Sequence, residues 1–462
     1  MPIGRPAAAY NRAAMEDLTT GSLSRHLLRT ASFMLVTMLS QTLYFLVDLY
    51  WVGSLGKEAV AAVGIAGNLS FIVLACTQVL GVGTTTLISH ASGARDGARA
   101  RAVFHQSQWL AAAAAALFLI VAMAGRHGYI DTLAADDATA RLAAGYLLWF
   151  IPALALQFVL ATMAAALRGS GAFRTPMMVQ VVSVAINMAL APFLIFGWGT
   201  GLAFGVSGAA IASLVAIMVG VGWLTVQFLQ PEAFLRFGAA TTPPRPEAWG
   251  RLLAIGLPAG AEFSMMAAYM FIVLVVARPF GSAAQAGFGI GLRLLQAMFL
   301  PVVAVAFAAS PVAGQNVGAH RFDRVRQTLL TALALTVGLM VFVAVVCQFA
   351  AAPLVGVFSP DSAVIVVGAD YLRIISWGFA ASGIVFVSSS IFQALGRTVP
   401  PLVTSLLRHI GVFAPVLWLA ARPGFDLKVI WYLSVATVVV HATANFLLVQ
   451  RQIRLQEARL VP

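Results

Sequence analysis

Long apolar runs separated by short polar punctuation make up most of this chain. Runs of about 20 residues or more, enough to cross a bilayer as helix, fall at 29–52, 59–89, 103–125, 142–167, 176–198 and 205–229. Six more follow at 252–277, 284–313, 327–349, 367–395, 401–421 and 429–449. Between the sets lies a polar stretch from Gln230 to Arg251 that includes Thr241-Thr242-Pro243-Pro244-Arg245-Pro246 and reads as a linker. The pattern predicts an all-α membrane protein with twelve transmembrane helices in two six-helix bundles. Residues 1–230 form the N-terminal lobe, 231–251 a cytoplasmic interlobe linker, and 252–462 the C-terminal lobe.

The two sets match each other at a shift of 225 positions without a gap. Ala62-Val63-Gly64-Ile65 falls on Gly287-Phe288-Gly289-Ile290, and Ser92-Gly93-Ala94-Arg95 on Val317-Gly318-Ala319-His320. Tyr146-Leu147 falls on Tyr371-Leu372, and Gly171 on Gly396. Such self-similarity marks two copies of one structural unit. An even number of spans per copy inserts both with the same orientation. The copies are then related by a pseudo-two-fold axis along the membrane normal with a cavity between them, a usual build for a secondary transporter.

Composition agrees. Hydrophobic residues make up 61% of 462 positions and charged residues 10%, with mean hydropathy +0.92; a soluble domain has about 25% charged residues. The net charge of +12 suggests nucleic acid until its placement is considered. Nineteen Lys and Arg lie in alternate segments, among them Arg95, Arg99, Arg101, Arg321, Arg324 and Arg326, against six on the opposite side. That asymmetry places both termini in the cytoplasm and implies no nucleic-acid partner. The expected location is the bacterial plasma (inner) membrane, multi-pass, with the lipid bilayer as solvent and the chain a monomer. The first 28 residues contain no apolar signal core, so the first span itself would direct insertion. Cys76 and Cys347 lie in apolar runs and read as packing residues, with neither a disulfide nor a metal implied.

Several segments resemble the multidrug and toxic compound extrusion (MATE) family. They include Gln41-Thr42-Leu43-Tyr44-Phe45-Leu46-Val47-Asp48, the Val52-Gly53-Ser54-Leu55-Gly56 turn, Leu167-Arg168-Gly169-Ser170-Gly171 and Gly205-Val206-Ser207-Gly208-Ala209-Ala210. In the second copy, Gly256-Leu257-Pro258-Ala259-Gly260 and Gly314-Gln315-Asn316-Val317-Gly318-Ala319 are similar. The resemblance covers roughly residues 28–450 and rests on the order and spacing of individually weak motifs. It implies a secondary antiporter, and no enzyme, that exports bulky cationic organic compounds in exchange for H⁺ or Na⁺ without a cofactor.

Asp48 is the sharpest candidate for coupling, since a charged side chain at mid-bilayer costs about 2.5–3.5 kcal/mol on insertion scales. Gln41, Tyr44 and Asp48 share one helix face by their i, i+3, i+7 spacing. That face points to a substrate cavity, with Gln41 and Tyr44 lining it. A carboxyl group removed from water can hold a proton at working pH and release it when rehydrated. The alternative is a hydrated aspartate near the outer interface, five residues from Gly53. By resemblance, Asn187 and Ser213 join Asp48, but Ala191 stands where the family has an acid before Pro192. Met266 and Ser382 likewise stand where the sodium-coupled branch has carboxylates. One carboxylate suffices for a proton and is too few for dehydrated Na⁺, so the driving force is expected to be the proton gradient.

In the second lobe, Glu262 lies four residues after Pro258 and needs a partner. Arg293 is the natural one, as a structural ion pair or a polar substrate contact. Phe33 occupies the place that the repeat gives to Pro258, so no proline bend is expected in span one. His409 and His441 have no spaced partners and read as packing or interfacial residues. Among alternatives, a major-facilitator transporter has the same span count, but Gly93-Ala94-Arg95-Asp96-Gly97-Ala98-Arg99 is out of that family's register. A lipid-linked oligosaccharide flippase is a second transport alternative. An intramembrane lipid-modifying enzyme is the remote one, since the acidic pair Asp136-Asp137 has no His or Cys beside it.

Overall fold

A bilayer leaves backbone N–H and C=O groups no water to bind, so each apolar run must close its hydrogen bonds as helix. The computed structural model describes residues 16–199, 201–238, 242–420 and 426–459. Thr241 of the linker lies outside them, as do Arg5, Arg12 and Arg422, three of the basic residues counted for orientation, and the side chain of Met266.

The first six spans are α1 (Leu23–Gly53), α2 (Lys57–Gly93), α3 (Gly97–Leu133), α4 (Asp137–Gly169), α5 (Arg174–Phe196) and α6 (Val206–Leu229). Then come α7 (Pro246–Ala277), α8 (Ser282–Gly318), α9 (Phe322–Gly356), α10 (Ser362–Ser376), α11 (Phe379–Ala394), α12 (Val399–Ala420) and α13 (Lys428–Ala458). The single run expected at 367–395 is two helices, α10 and α11, meeting at 57°. The break falls at Trp377-Gly378, where a poor helix former sits so close to α13 that an added Cβ would lie 3.0 Å from Val438 Cγ1. With that bent pair counted as one, the thirteen helices of the described residues make the twelve expected. Helix α1 runs unbroken past Phe33, whose ring lies under the Arg29 guanidinium at 5.9 Å.

The backbone repeats as the sequence does. Left-handed residues occur at Gly56 and Gly281, at Arg95 and His320, and at Gly171 and Gly396, each pair separated by the same 225 positions. In the Arg95 turn, Asp96 N donates to Ala91 O, and Arg321 N donates to Asn316 O at the matching place. Both turns close their helices with the same six-residue carbonyl bond.

Two compact units result. One comprises Met1–Leu18 and Val36–Gly256, the other Thr19–Leu35 and Leu257–Pro462. The division falls inside α1 and inside α7. The first unit is packed on small residues: Ala59, Ala62, Ala66, Ala143, Ala209, Ala210 and Ala212 are all buried around Tyr146, Ile151 and Ile195, which lets helix backbones approach closely. At the crossing of α2 with the first turns of α7, a Cβ on Gly256 would sit 2.0 Å from Val79 O, and one on Gly83 would sit 2.4 Å from Leu252 O. Only glycine fits either position.

The second unit relies on aromatic contacts. Phe288 meets Tyr371 edge-on at 5.0 Å, and Tyr371 meets Trp431 at 5.4 Å. Basic loop residues also do more than set orientation. Arg321 Nη1 donates to Thr19 O at 2.7 Å and Arg324 Nη2 to Gly21 O at 3.1 Å, which fastens the segment before α1 to the second unit.

Candidate functional site

On α1, Leu43, Phe45, Leu46, Leu49 and Tyr50 are exposed, whereas Gln41 and Tyr44 are half-buried and Asp48 is 8% exposed. The polar stripe therefore occupies the inward side of the helix. Tyr44 Oη lies 2.8 Å from Ser213 Oγ on α6, and Asn187 Nδ2 on α5 donates to the same oxygen at 3.1 Å. Ser213 Oγ is 3.0 Å from Ala209 O. The serine has one hydrogen and two lone pairs. Its hydrogen goes to the Ala209 carbonyl, so Tyr44 and Asn187 both donate to it and the hydroxyl is fully used.

Tyr44, expected to line a cavity, is thus drawn into the group predicted from Asn187 and Ser213. Asp48 is not hydrogen-bonded to that group. It sits one turn beyond Tyr44, within electrostatic reach of Tyr44 and of Tyr146 on α4, and its Oδ1 has no hydrogen-bond partner among the described residues. The arrangement is a lone buried carboxyl group among phenols and amides, with one oxygen uncommitted. Ala191 is buried a turn beyond Asn187 and followed by Pro192. It adds no second carboxylate. Tyr146 had not been singled out as functional; the one trace of it was its register with Tyr371 in the repeat.

In the second unit the anticipated Glu262–Arg293 pair does not form. Ser389 Oγ on α11 donates to Glu262 Oε1 at 2.9 Å. Neither Glu262 nor Arg293 takes part in an ion pair among the described residues, and Arg293 is exposed on α8. The run Ser388-Ser389-Ser390 is buried, so a hydroxyl satisfies the acid where a guanidinium had been expected. Ser382 is half-buried on the same helix.

A polar group unforeseen in the sequence lies between α7, α12 and α13. The Arg408 guanidinium stands 5.9 Å from the Tyr269 ring centroid, and the His409 ring lies edge-on to Tyr269 at 5.5 Å. Tyr269 Oη hydrogen-bonds to Ser434 Oγ. The acidic pair Asp136-Asp137 has a structural job. Asp136 caps α4 by accepting from Thr139 N at 2.7 Å, and Asp137 begins the helix. That amide holds the Asp136 carboxyl below the usual carboxylate range.

A family model described as MatE matches this chain twice, over residues 34–193 and 258–419, once in each repeat. The chain belongs to the MatE family. Among curated relatives, an FAD transporter of Shewanella oneidensis is 24% identical over 405 residues, covering 86% of this chain and 88% of the relative. The multidrug export protein MepA of Staphylococcus aureus is 24% identical over 408 residues, covering 87% and 88%. A solved structure of the Vibrio cholerae MATE transporter VcmN in its bent form is similar with a TM-score of 0.87 at 24% identity, covering 96% and 99%. Members of the MatE family are multi-pass membrane transporters and not enzymes, which sets aside the lipid-modifying and major-facilitator alternatives.

Proposed function

We propose that this MatE protein is an antiporter that exports bulky organic compounds, cationic ones included, in exchange for protons, with Asp48 as the coupling acid. The observation that carries the reading is the buried Asp48 carboxyl, its Oδ1 without a hydrogen-bond partner among the described residues, next to a Tyr44–Ser213–Asn187 group whose shared hydroxyl is saturated by its own hydrogen bonds. Such a carboxyl can exchange its proton for the charge of a solute without breaking a hydrogen bond at Oδ1. With Ala191 in place of a second acid, the group offers too few negative ligands for dehydrated Na⁺. Relatives named for drug export and for FAD support a large organic solute. The chain would act as a monomer in the plasma membrane with both termini cytoplasmic, as its arginine asymmetry indicates.

Reconstituted protein in sealed vesicles, given rhodamine 123 and an imposed pH or Na⁺ gradient, tests this. Uptake that follows the pH gradient alone is expected. Uptake that ignores it and follows Na⁺ would overturn proton coupling. A second reading places the proton on Glu262, which Ser389 holds; Glu262→Gln would then abolish pH-driven uptake while Asp48→Asn retained it.

A further inference from the structure

Arg408 is the tenth of 22 residues in α12, about 13 Å along the helix at 1.5 Å per residue, and so sits well inside the span. It shares a helix face with Ser405 and Val412, both buried, and is itself half-buried. An intramembrane arginine is costly and marks a polar pathway or a partner of opposite charge. Yet among the described residues no ion pair involves Arg408. What surrounds it is aromatic and basic: the Tyr269 ring, His409, and His441 within electrostatic reach. The nearest intramembrane acid on α7, Glu262, is two turns from Tyr269 and bound to Ser389.

His441 supplies a second, independent observation. It is 4% exposed, and its Nδ1 has no hydrogen-bond partner among the described residues. Asn445 Nδ2 on the same helix lies 3.3 Å from His441 Nε2. With the Asn445 amide nitrogen as donor, Nε2 accepts and the neutral ring carries its hydrogen on Nδ1. A buried donor without an acceptor is an expensive arrangement for a folded protein to keep. The Arg408 guanidinium, over the Tyr269 ring at 5.9 Å, has the planar N–H fork that grips carboxylate or phosphate oxygens.

We propose that α7, α12 and α13 form a binding site for an anionic group, a carboxylate or phosphate, carried on the organic solute, with Arg408 and His441 as its donors and Tyr269 as an aromatic wall. The site rests on the transport reading only for the identity of its occupant as cargo. It adds to that reading a class of solute, one bearing both an aromatic system and an acid, for which the Asp48 carboxyl alone would have no use.

Rhodamine 110 and its methyl ester rhodamine 123 share one cationic ring system, and only the former offers a free carboxylate. Equilibrium binding of both dyes to the full-length protein in phosphatidylcholine nanodiscs separates this proposal from proton coupling, because no gradient is present. Wild type is expected to favour rhodamine 110 by about tenfold or more, the scale of a lost charge-assisted hydrogen-bond pair. In Arg408→Gln the ratio of the two affinities should fall to near one, and in Arg408→Lys, which keeps the charge and loses the fork, to an intermediate value. No preference in wild type overturns the proposal without recourse to any variant, and so does an unchanged ratio in Arg408→Gln. A preference that vanishes when phosphatidylglycerol is added assigns the site to a lipid headgroup and also overturns it.

Discussion

Asp48→Asn replaces a carboxyl group with an amide of the same shape that can no longer exchange a proton. Two consequences follow with opposite signs. The side chain is 8% exposed and its Oδ1 forms no hydrogen bond among the described residues, so no such bond is lost there. An ionised carboxylate inside the bilayer costs about 2.5–3.5 kcal/mol, and the amide removes that cost in whatever fraction of molecules is charged. The variant should therefore melt at the same temperature as wild type or higher in detergent, followed by fluorescence-detected size exclusion after heating. Transport should fail. A gradient of one pH unit supplies about 1.4 kcal/mol per proton, so one-for-one exchange sustains about a tenfold solute ratio across the vesicle membrane. In Asp48→Asn that ratio should fall to about one while dye still equilibrates. A destabilised variant would show that Asp48 is a structural ion, and a retained tenfold ratio would remove it from coupling.

Ser213→Ala should leave the Tyr44 hydroxyl and the Asn187 amide without their shared acceptor, costing about 1–3 kcal/mol and lowering the melting temperature, whereas Ser213→Thr should restore most of it. Gly256→Ala drives a methyl group into the Val79 carbonyl, and overpacking of this kind costs about 1–3 kcal/mol or more. Gly250→Ala on the same helix meets nothing within 4 Å and should melt like wild type; equal melting of the two variants would refute the close crossing. Gln106 donates to Pro243 O at 2.7 Å and accepts from Arg245 N at 2.8 Å, so Gln106→Leu should quicken limited proteolysis between Gln230 and Pro246. The Asp136 cap, held below the usual carboxylate range, contributes at neutral pH and is lost only as pH falls through that lowered value. The melting difference between Asp136→Ala and wild type should thus be larger at pH 7 than at pH 3.

How far the sequence could be read depended on where each partner came from. The inward stripe of α1 was legible because Gln41, Tyr44 and Asp48 lie within one helix, where spacing fixes a face. The Tyr44–Ser213 bond joins residues 169 positions apart, and only the family resemblance had brought Ser213 into view. The Glu262–Arg293 expectation failed because pairing two buried charges on different helices assumes a geometry that composition does not contain, and a serine on α11 lay closer. Arg408 escaped notice for a related reason. Counting arginines by loop treats one inside an apolar run as an exception, and His409 and His441 lack partners only when each helix is read alone. The bend at Trp377-Gly378 was hidden by the uninterrupted hydrophobicity on both sides of it.

The division of α1 and α7 between the units bears on how the chain is made. The first unit needs Leu252 and Gly256 against α2, so it is not complete until the ribosome has passed the linker. The opening turns of α1 wait longer still, because the arginines that fasten the segment before them, Arg321 and Arg324, begin α9. The earliest helix to enter the membrane is therefore among the last to find all its neighbours. Cutting the gene at the linker would yield two fragments, each lacking a piece held by the other. Such fragments should assemble when expressed together and fail to mature when expressed apart.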